Sequence, residues 1–129
     1  MSKSQRTKGQ SGERELSALI ADLTGWKVKR RVRQHEGDSD LEGVPGWSVE
    51  VKRHKTALPG DIRQWWNQAC EQTTNADAIP VLFYRADRRE WRAVWPLVVL
   101  LLNKPTGGIE YTAETSVEAW AMVAREIAA

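Results

Sequence analysis

The stretch Trp47-Ser48-Val49-Glu50-Val51-Lys52-Arg53 alternates along its length, with Trp47, Val49 and Val51 on one face and Ser48, Glu50 and Lys52 on the other. Period-two alternation of this kind predicts a half-buried β-strand. A carboxylate and an ammonium therefore share one strand face, roughly 6.5–7 Å apart from two rises of about 3.3 Å. Just upstream, residues 35–46 are rich in Gly, Asp and Glu and must contain turns, with room for a short strand around residues 40–42. A meander that brings Asp38-Ser39-Asp40-Leu41 back beside residues 47–53 sets Asp40 against Glu50. Like charges that close are costly unless a cation lies between them.

Working outward, Ser11 is a plausible N-cap, and Leu16, Leu19, Ile20 and Leu23 fall at helical spacing before Thr24-Gly25 supplies a stop. This predicts a first helix over residues 12–23. Glu13 precedes Leu16 and Ile20 by three and seven residues, so it lies on the apolar stripe that faces the sheet. An acid aimed inward needs a partner, and a metal-bound water is a good one. Residues 26–34 alternate Trp26, Val28, Arg30 and Val32 with Lys27, Lys29, Arg31 and Arg33, which reads as a strand with a basic outer face. Pro59 opens a second helix with an apolar stripe of Ile62, Trp65, Trp66, Ala69 and Thr73, and Asn75 ends it. Residues 79–85 and 90–95 read as a hairpin around Ala86-Asp87-Arg88-Arg89, followed by a short helix over 96–102 and a last one over 116–127. That order fits an α/β or α+β sandwich around a mixed sheet.

With 129 residues the chain suits one compact domain. We read residues 1–10, with Lys3, Arg6 and Lys8 and no apolar periodicity, as a flexible basic arm, and residues 11–129 as the domain. The single cysteine, Cys70, has no intrachain partner and suits a reducing interior. The polar, basic start is unlike a signal peptide, and the longest apolar run, residues 94–102, is broken by Pro96 and falls far short of the roughly 20 residues that span a bilayer. No membrane role is expected. The first 56 residues hold twelve Lys/Arg against eight Asp/Glu, whereas the remainder hold seven against nine. This marks the first half as the nucleic-acid face, with Lys8, Lys27, Lys29, Arg30, Arg31, Arg33 and Arg53 as candidate DNA contacts.

Seven Trp are more large apolar groups than so small a chain easily hides. Adjacent helical residues point about 100° apart, so one of Trp65 and Trp66 is expected to face outward at a dimer interface. His35 and His54 flank the two central strands and read as solvated, with phosphate contact or proton donation as the alternative; Glu15 reads as a surface partner of Arg14 or Lys29, and Arg88 and Arg89 as solvated turn residues, with phosphate contact as the alternative.

Hydrolysis of a phosphodiester calls for a hard divalent cation held by oxygen ligands, to activate water and neutralise phosphate charge. Asp40 and Glu50 can supply those ligands with the Val51 carbonyl, and Lys52 can reach a phosphate oxygen or the attacking water. Asp38 competes with Asp40 for the role. Gln68, on the second helix, is a further candidate for touching the site.

The pattern resembles the PD-(D/E)xK, or restriction-endonuclease-like, nuclease superfamily, and within it the archaeal and phage Holliday junction resolvases. The resemblance is carried by Lys8-Gly9-Gln10-Ser11-Gly12-Glu13-Arg14-Glu15-Leu16, by Arg30 or Arg31, by Asp40-Leu41 and by Val49-Glu50-Val51-Lys52. More loosely it runs through Trp65-Trp66-Asn67-Gln68-Ala69 and Pro80-Val81-Leu82-Phe83-Tyr84-Arg85, and so covers residues 8–96. Ser39 stands where the superfamily often has Pro. The resemblance implies an α/β restriction-endonuclease-like fold, a central mixed β-sheet flanked by helices, in a homodimeric endonuclease that acts on branched DNA. It also implies catalytic Glu13, Asp40, Glu50 and Lys52, with Mg2+, for which Mn2+ can substitute, on Glu13, Asp40, Glu50 and Val51. The setting would be the cytoplasm of a host cell carrying a phage or prophage. A repair- or restriction-type nuclease acting on duplex or single-stranded DNA is the alternative. A non-catalytic DNA-binding protein of the same fold would have no need of so costly a carboxylate cluster.

Overall fold

The structure is a computed structural model that describes residues 3–32, 38–101 and 108–129. The alternating stretch forms strand β3 (Trp47–His54), which pairs in parallel with β4 (Ile79–Ala86), Val49 opposite Val81 and Glu50 opposite Leu82. A parallel pair needs a crossover, and helix α2 (Pro59–Gln72) provides it. Strand β4 then turns back on β5 (Arg92–Pro96), which pairs antiparallel with β6 (Thr112–Ser116), giving a mixed sheet in the order β3-β4-β5-β6. Helices α1 (Lys3–Thr24) and α3 (Val117–Ala128) cover one face: Leu16, Ile20, Trp120 and Ala124 pack on Val49, Val81, Phe83 and Trp95. On the other face α2 sets Trp65, Trp66 and Ala69 on Leu82, Tyr84 and Val94. This is an α/β fold with a central mixed sheet flanked by helices. β1 (Lys29–Arg30) and β2 (Leu41–Glu42) form a small antiparallel pair, and the Asp40 N–H donates to the Val49 carbonyl at 2.8 Å, so this pair lies along the outer side of β3.

Several expectations are corrected. α1 starts at Lys3 rather than at residue 12, so residues 3–10, expected as a flexible arm, are its first turns. Tertiary bonds rather than an apolar stripe hold them: Gln5 Nε2 donates to the Arg53 carbonyl at 2.8 Å and Lys8 Nζ to Asp87 at 3.1 Å. Among the described residues, the strand expected over residues 26–34 is paired at Lys29 and Arg30, the Arg31 N–H donates on to the Asp40 carbonyl at 2.9 Å, and Val32 is 76% exposed instead of inward. Arg33 and His35 lie outside the described residues. The helix expected over residues 96–102 is a 3-10 helix, Leu97–Leu101, with residue 102 outside the described set. β6 went unforeseen, since Thr112-Ala113-Glu114-Thr115-Ser116 has almost no apolar content and is held by backbone pairing with β5 and by Trp95 Nε1 donating to Thr115 Oγ1 at 3.0 Å.

Neither Trp65 nor Trp66 faces outward, because Trp65 is wedged between His54 and Tyr84 while Trp66 enters the core under the sheet. The outward-Trp interface is therefore overturned. Trp47, Trp91, Trp95 and Trp120 are buried too. Exposed large apolar side chains gather instead on the 3-10 helix and α3, at Leu97, Leu100, Met122 and Ile127, while Val32, Leu58 and Tyr111 are exposed elsewhere. Among the described residues no helix is long and apolar enough to cross a membrane.

Candidate active site

Strand β3 carries Glu50, Lys52 and His54 on one side by its period of two. Ser39 fixes the neighbouring segment: its hydroxyl accepts from the Val49 N–H at 2.8 Å and donates to the Leu41 carbonyl at 2.7 Å. This anchor sets the Asp40 carboxylate over β3, where Oδ2 accepts from the Val51 N–H at 2.7 Å. Helix α1 brings Glu13 in from the sheet face, and Arg30 of β1 meets it with Nε 3.5 Å from Oε2. Lys52 Nζ stands 3.4 Å from Glu50 Oε1. Glu13, Arg30, Asp40, Glu50, Val51 and Lys52 thus line one cleft, of about 330 Å3, at the edge of the sheet.

Asp40 and Glu50 are buried. Burial first, and then the charge of Asp40, push the Glu50 carboxyl up to about 7 against the opposing pull of Lys52. The same two causes raise Glu13 to about 7 against the pull of Arg30. Of the cations that line the cleft, Arg30 stands within ion-pair distance of Glu13 and Lys52 within ion-pair distance of Glu50. Glu13 Oε2 and Arg30 Nε are both buried and face each other at 3.5 Å, an ion pair too long to satisfy either as a hydrogen bond, which leaves room for a cation-bound water beside Oε2. Among the described residues no three His, Cys, Asp or Glu side chains already stand closely enough to enclose a metal ion. Asp40 and Glu50, with the Val51 carbonyl, are oxygen donors of the kind that would hold a hard divalent cation.

The other candidates are spread around this cleft. Arg31 lines it, donates through Nε to the Ser39 carbonyl at 3.0 Å and pairs with Glu42 at 3.6 Å. Arg53 lines it as well, but its guanidinium is committed to Asp87 at 2.6 Å, as is Lys8. Lys29 is exposed and 3.3 Å from Glu42, and Lys27 is exposed. Asp38 is half-buried beside the anchor segment, and Gln68 is half-buried on α2 and not among the residues that line the cleft. Glu15 does not pair with Arg14 or Lys29; it accepts from Arg85 and from Trp91 Nε1, the latter at 2.7 Å.

Two lining residues, Gln5 and Gln10, had gone unremarked as part of this site, and Arg6, expected on the basic arm, lines it too. Arg6, Gln10 and Glu13 follow i, i+4, i+7 spacing, which would have put them on one helix face had the helix been extended back. His54 closes the far end, stacked on Trp65 with ring centres 4.8 Å apart, and burial followed by the nearby Lys52 charge lowers its pKa.

No curated protein and no solved structure matches this chain. A family model described as "Phage putative PDDEXK endonuclease" does match, over residues 4–119, a span that holds Glu13, Asp40, Glu50 and Lys52 and every strand of the sheet. With a match that takes in most of its length, the chain belongs to this phage PDDEXK endonuclease family.

Proposed function

We propose that the protein is a Mg2+-dependent DNA endonuclease that acts as a homodimer to resolve four-way junctions, in the cytoplasm of a cell carrying the phage or prophage. The observation that carries this reading is the convergence of Asp40 and Glu50 from paired segments, with Glu13 and Lys52, in one cleft. PDDEXK nucleases generally use divalent metals. Asp40 and Glu50, with Glu13 and the Val51 carbonyl, would hold Mg2+, or Mn2+ in its place. When bound, such an ion polarises the scissile phosphate and lowers the pKa of water.

The chain's own residues do the rest. The Val51 N–H fixes the Asp40 carboxylate, and Arg30 steadies Glu13. Lys52 presents an ammonium to the phosphate oxygens, where charge grows as the phosphodiester is attacked. Arg30, Arg31 and Arg53, which line the cleft, would supply phosphate contacts together with Lys8, Lys27, Lys29 and Arg33. The helix-one motif around Lys8-Gly9 and Glu13 favours a resolvase within the superfamily. A junction presents two symmetric cut sites, which a two-fold dimer matches.

The test is cleavage of matched four-way, flap, single-stranded and linear DNAs with and without Mg2+, alongside sedimentation of the protein. Paired, symmetric cuts confined to the four-way substrate by a dimer are expected. Cutting of linear duplex as fast as the junction would favour the repair- or restriction-type alternative, and a monomer that makes paired cuts would remove the dimer.

A further inference from the structure

A second groove, of about 820 Å3, lies against the β4–β5 turn and adjoins the active-site cleft at the end of β3, where Lys55 follows His54. Its rim carries Lys55, Arg88 and Arg89, all exposed. None of the three has a carboxylate within ion-pair distance among the described residues. Two of the groove's acids are already engaged. Asp87 holds Arg53 at 2.6 Å and Lys8 at 3.1 Å, while Glu114 accepts from the Tyr84 hydroxyl at 2.6 Å and from Arg92 Nε at 3.2 Å. Glu90 is the remaining acid, so with Arg53 and Lys8 included six cations face three carboxylates. A surplus of this kind is what a polyanion backbone seeks.

The turn backbone adds an independent observation. Arg88 has φ 63°, and it is the one non-glycine residue with positive φ among those described. Glycine adopts that conformation without steric cost, and a side chain as large as arginine does not. The turn that holds it is fixed on several sides: the Asp87 N–H donates to the Lys55 carbonyl at 3.2 Å, the Arg89 N–H to the Ala86 carbonyl at 3.1 Å, and Arg85 Nε to the Arg89 carbonyl at 2.7 Å. Asp87 also ties the turn to Arg53 of β3 and Lys8 of α1, the two elements that wall the cleft. Cations presented from so constrained a turn lose little backbone freedom when they bind.

We propose that the β4–β5 turn is a backbone clamp, in which Lys55, Arg88 and Arg89 grip phosphates of the DNA flanking the cut and Asp87 keeps that grip in register with β3. The proposal rests on the nuclease reading above. Phosphate contacts position DNA and carry no sequence information, so the clamp sets affinity and alignment rather than sequence choice.

The test is fluorescence anisotropy of a labelled DNA duplex in EDTA over a series of salt concentrations, with wild type, Arg88→Gly, Arg88→Gly/Arg89→Ser and Lys55→Gln, each also melted thermally. Each lost contact should flatten the log–log salt slope by about 0.9. Arg88→Gly should melt at the wild-type temperature or above, since the turn relaxes, while it binds more weakly. Lys55→Gln leaves the turn backbone alone and should flatten the slope by the same amount as Arg88→Gly. Unchanged slopes in all three variants, with wild type still binding and cutting DNA, would overturn the clamp and leave the nuclease reading standing. Wild-type protein that binds no DNA would overturn both.

Discussion

Glu13 and Glu50 meet at Asp40, and the chemistry of the cleft follows from how tightly the fold makes them hold protons. Both carboxyls rise from an ordinary 4.5 to about 7, by burial first and by the Asp40 charge second. A carboxyl raised in this way binds its proton more tightly folded than unfolded, so the metal-free protein loses stability as pH climbs from about 4.5 to about 7. A divalent cation competes for the same oxygens and should relieve that loss. The expected outcome is a rise in melting temperature on adding Mg2+ that is large at pH 8 and small at pH 5. An equal rise at both values, or none, would contradict the cluster as the cation site. Lys52 offers a second check, since a planar guanidinium cannot take the place of a compact ammonium 3.4 Å from Glu50. Lys52→Arg should therefore lose most of the cleavage rate with DNA affinity little changed; normal turnover would reduce Lys52 to a diffuse electrostatic contributor. The pairing of Glu50 with Lys52 was legible in the sequence because strand alternation places them together whatever the rest of the fold does. Asp40 was legible because Gly43 and Gly46, both with positive φ, let the chain double back within a few residues. The contact of Glu13 with Arg30 was not, since it depends on how α1 is set against β1.

Between elements, the closest fit is where α1 crosses β3. A Cβ on Gly12 would stand 2.8 Å from Arg53 Cβ and 3.2 Å from its Cγ, and Arg53 cannot swing away while it binds Asp87 and the His54 carbonyl. Gly12→Ala gains about 0.8–1.0 kcal/mol of helix propensity but incurs about 1–3 kcal/mol of overpacking, so a net loss of about 1 kcal/mol is expected in a denaturant melt. The same shift would lift Glu13, one residue on, and slow cleavage beyond what the stability loss explains. A Gly12→Ala protein as stable and as active as wild type would show that α1 can ride higher on the sheet. Elements with strong periodicity, α2, β3, β4 and β5, were read close to their observed bounds. The rest depended on partners that local sequence does not reveal. Residues 3–10 are helical because Gln5 and Lys8 find Arg53 and Asp87, more than forty residues away. β6 exists because β5 offers it an edge.

Across the whole molecule, the tryptophans explain how a chain of 129 residues sustains two packed layers on one sheet. Trp120 is fully buried and meets Trp47 and Phe83 edge-on at 5.5 and 4.9 Å, joining α3 to β3 and β4. Trp120→Ala should cost about 3–5 kcal/mol, read as a lowered denaturation midpoint. A cost below 1 kcal/mol would mean that α3 contributes little to the core. Counting indoles in the sequence suggested an outward surplus, but volume is matched locally: Trp65 fills the space between His54 and Tyr84, and Trp66 the space beneath Leu82. What the packing delivers is an edge strand that presents Glu50 and Lys52 beside Asp40 and Glu13, where Asp40 and Glu50 are proposed to share a divalent cation in cutting DNA. The most direct measurement is incubation of wild type, Asp40→Asn and Glu50→Gln with end-labelled four-way and linear DNA, in Mg2+ and in EDTA, with binding followed in parallel. Wild type is expected to cut in Mg2+ alone, and the variants to bind DNA as well or better without cutting it. Cutting by wild type in EDTA, or by Glu50→Gln at the wild-type rate, would contradict a cation shared by Asp40 and Glu50.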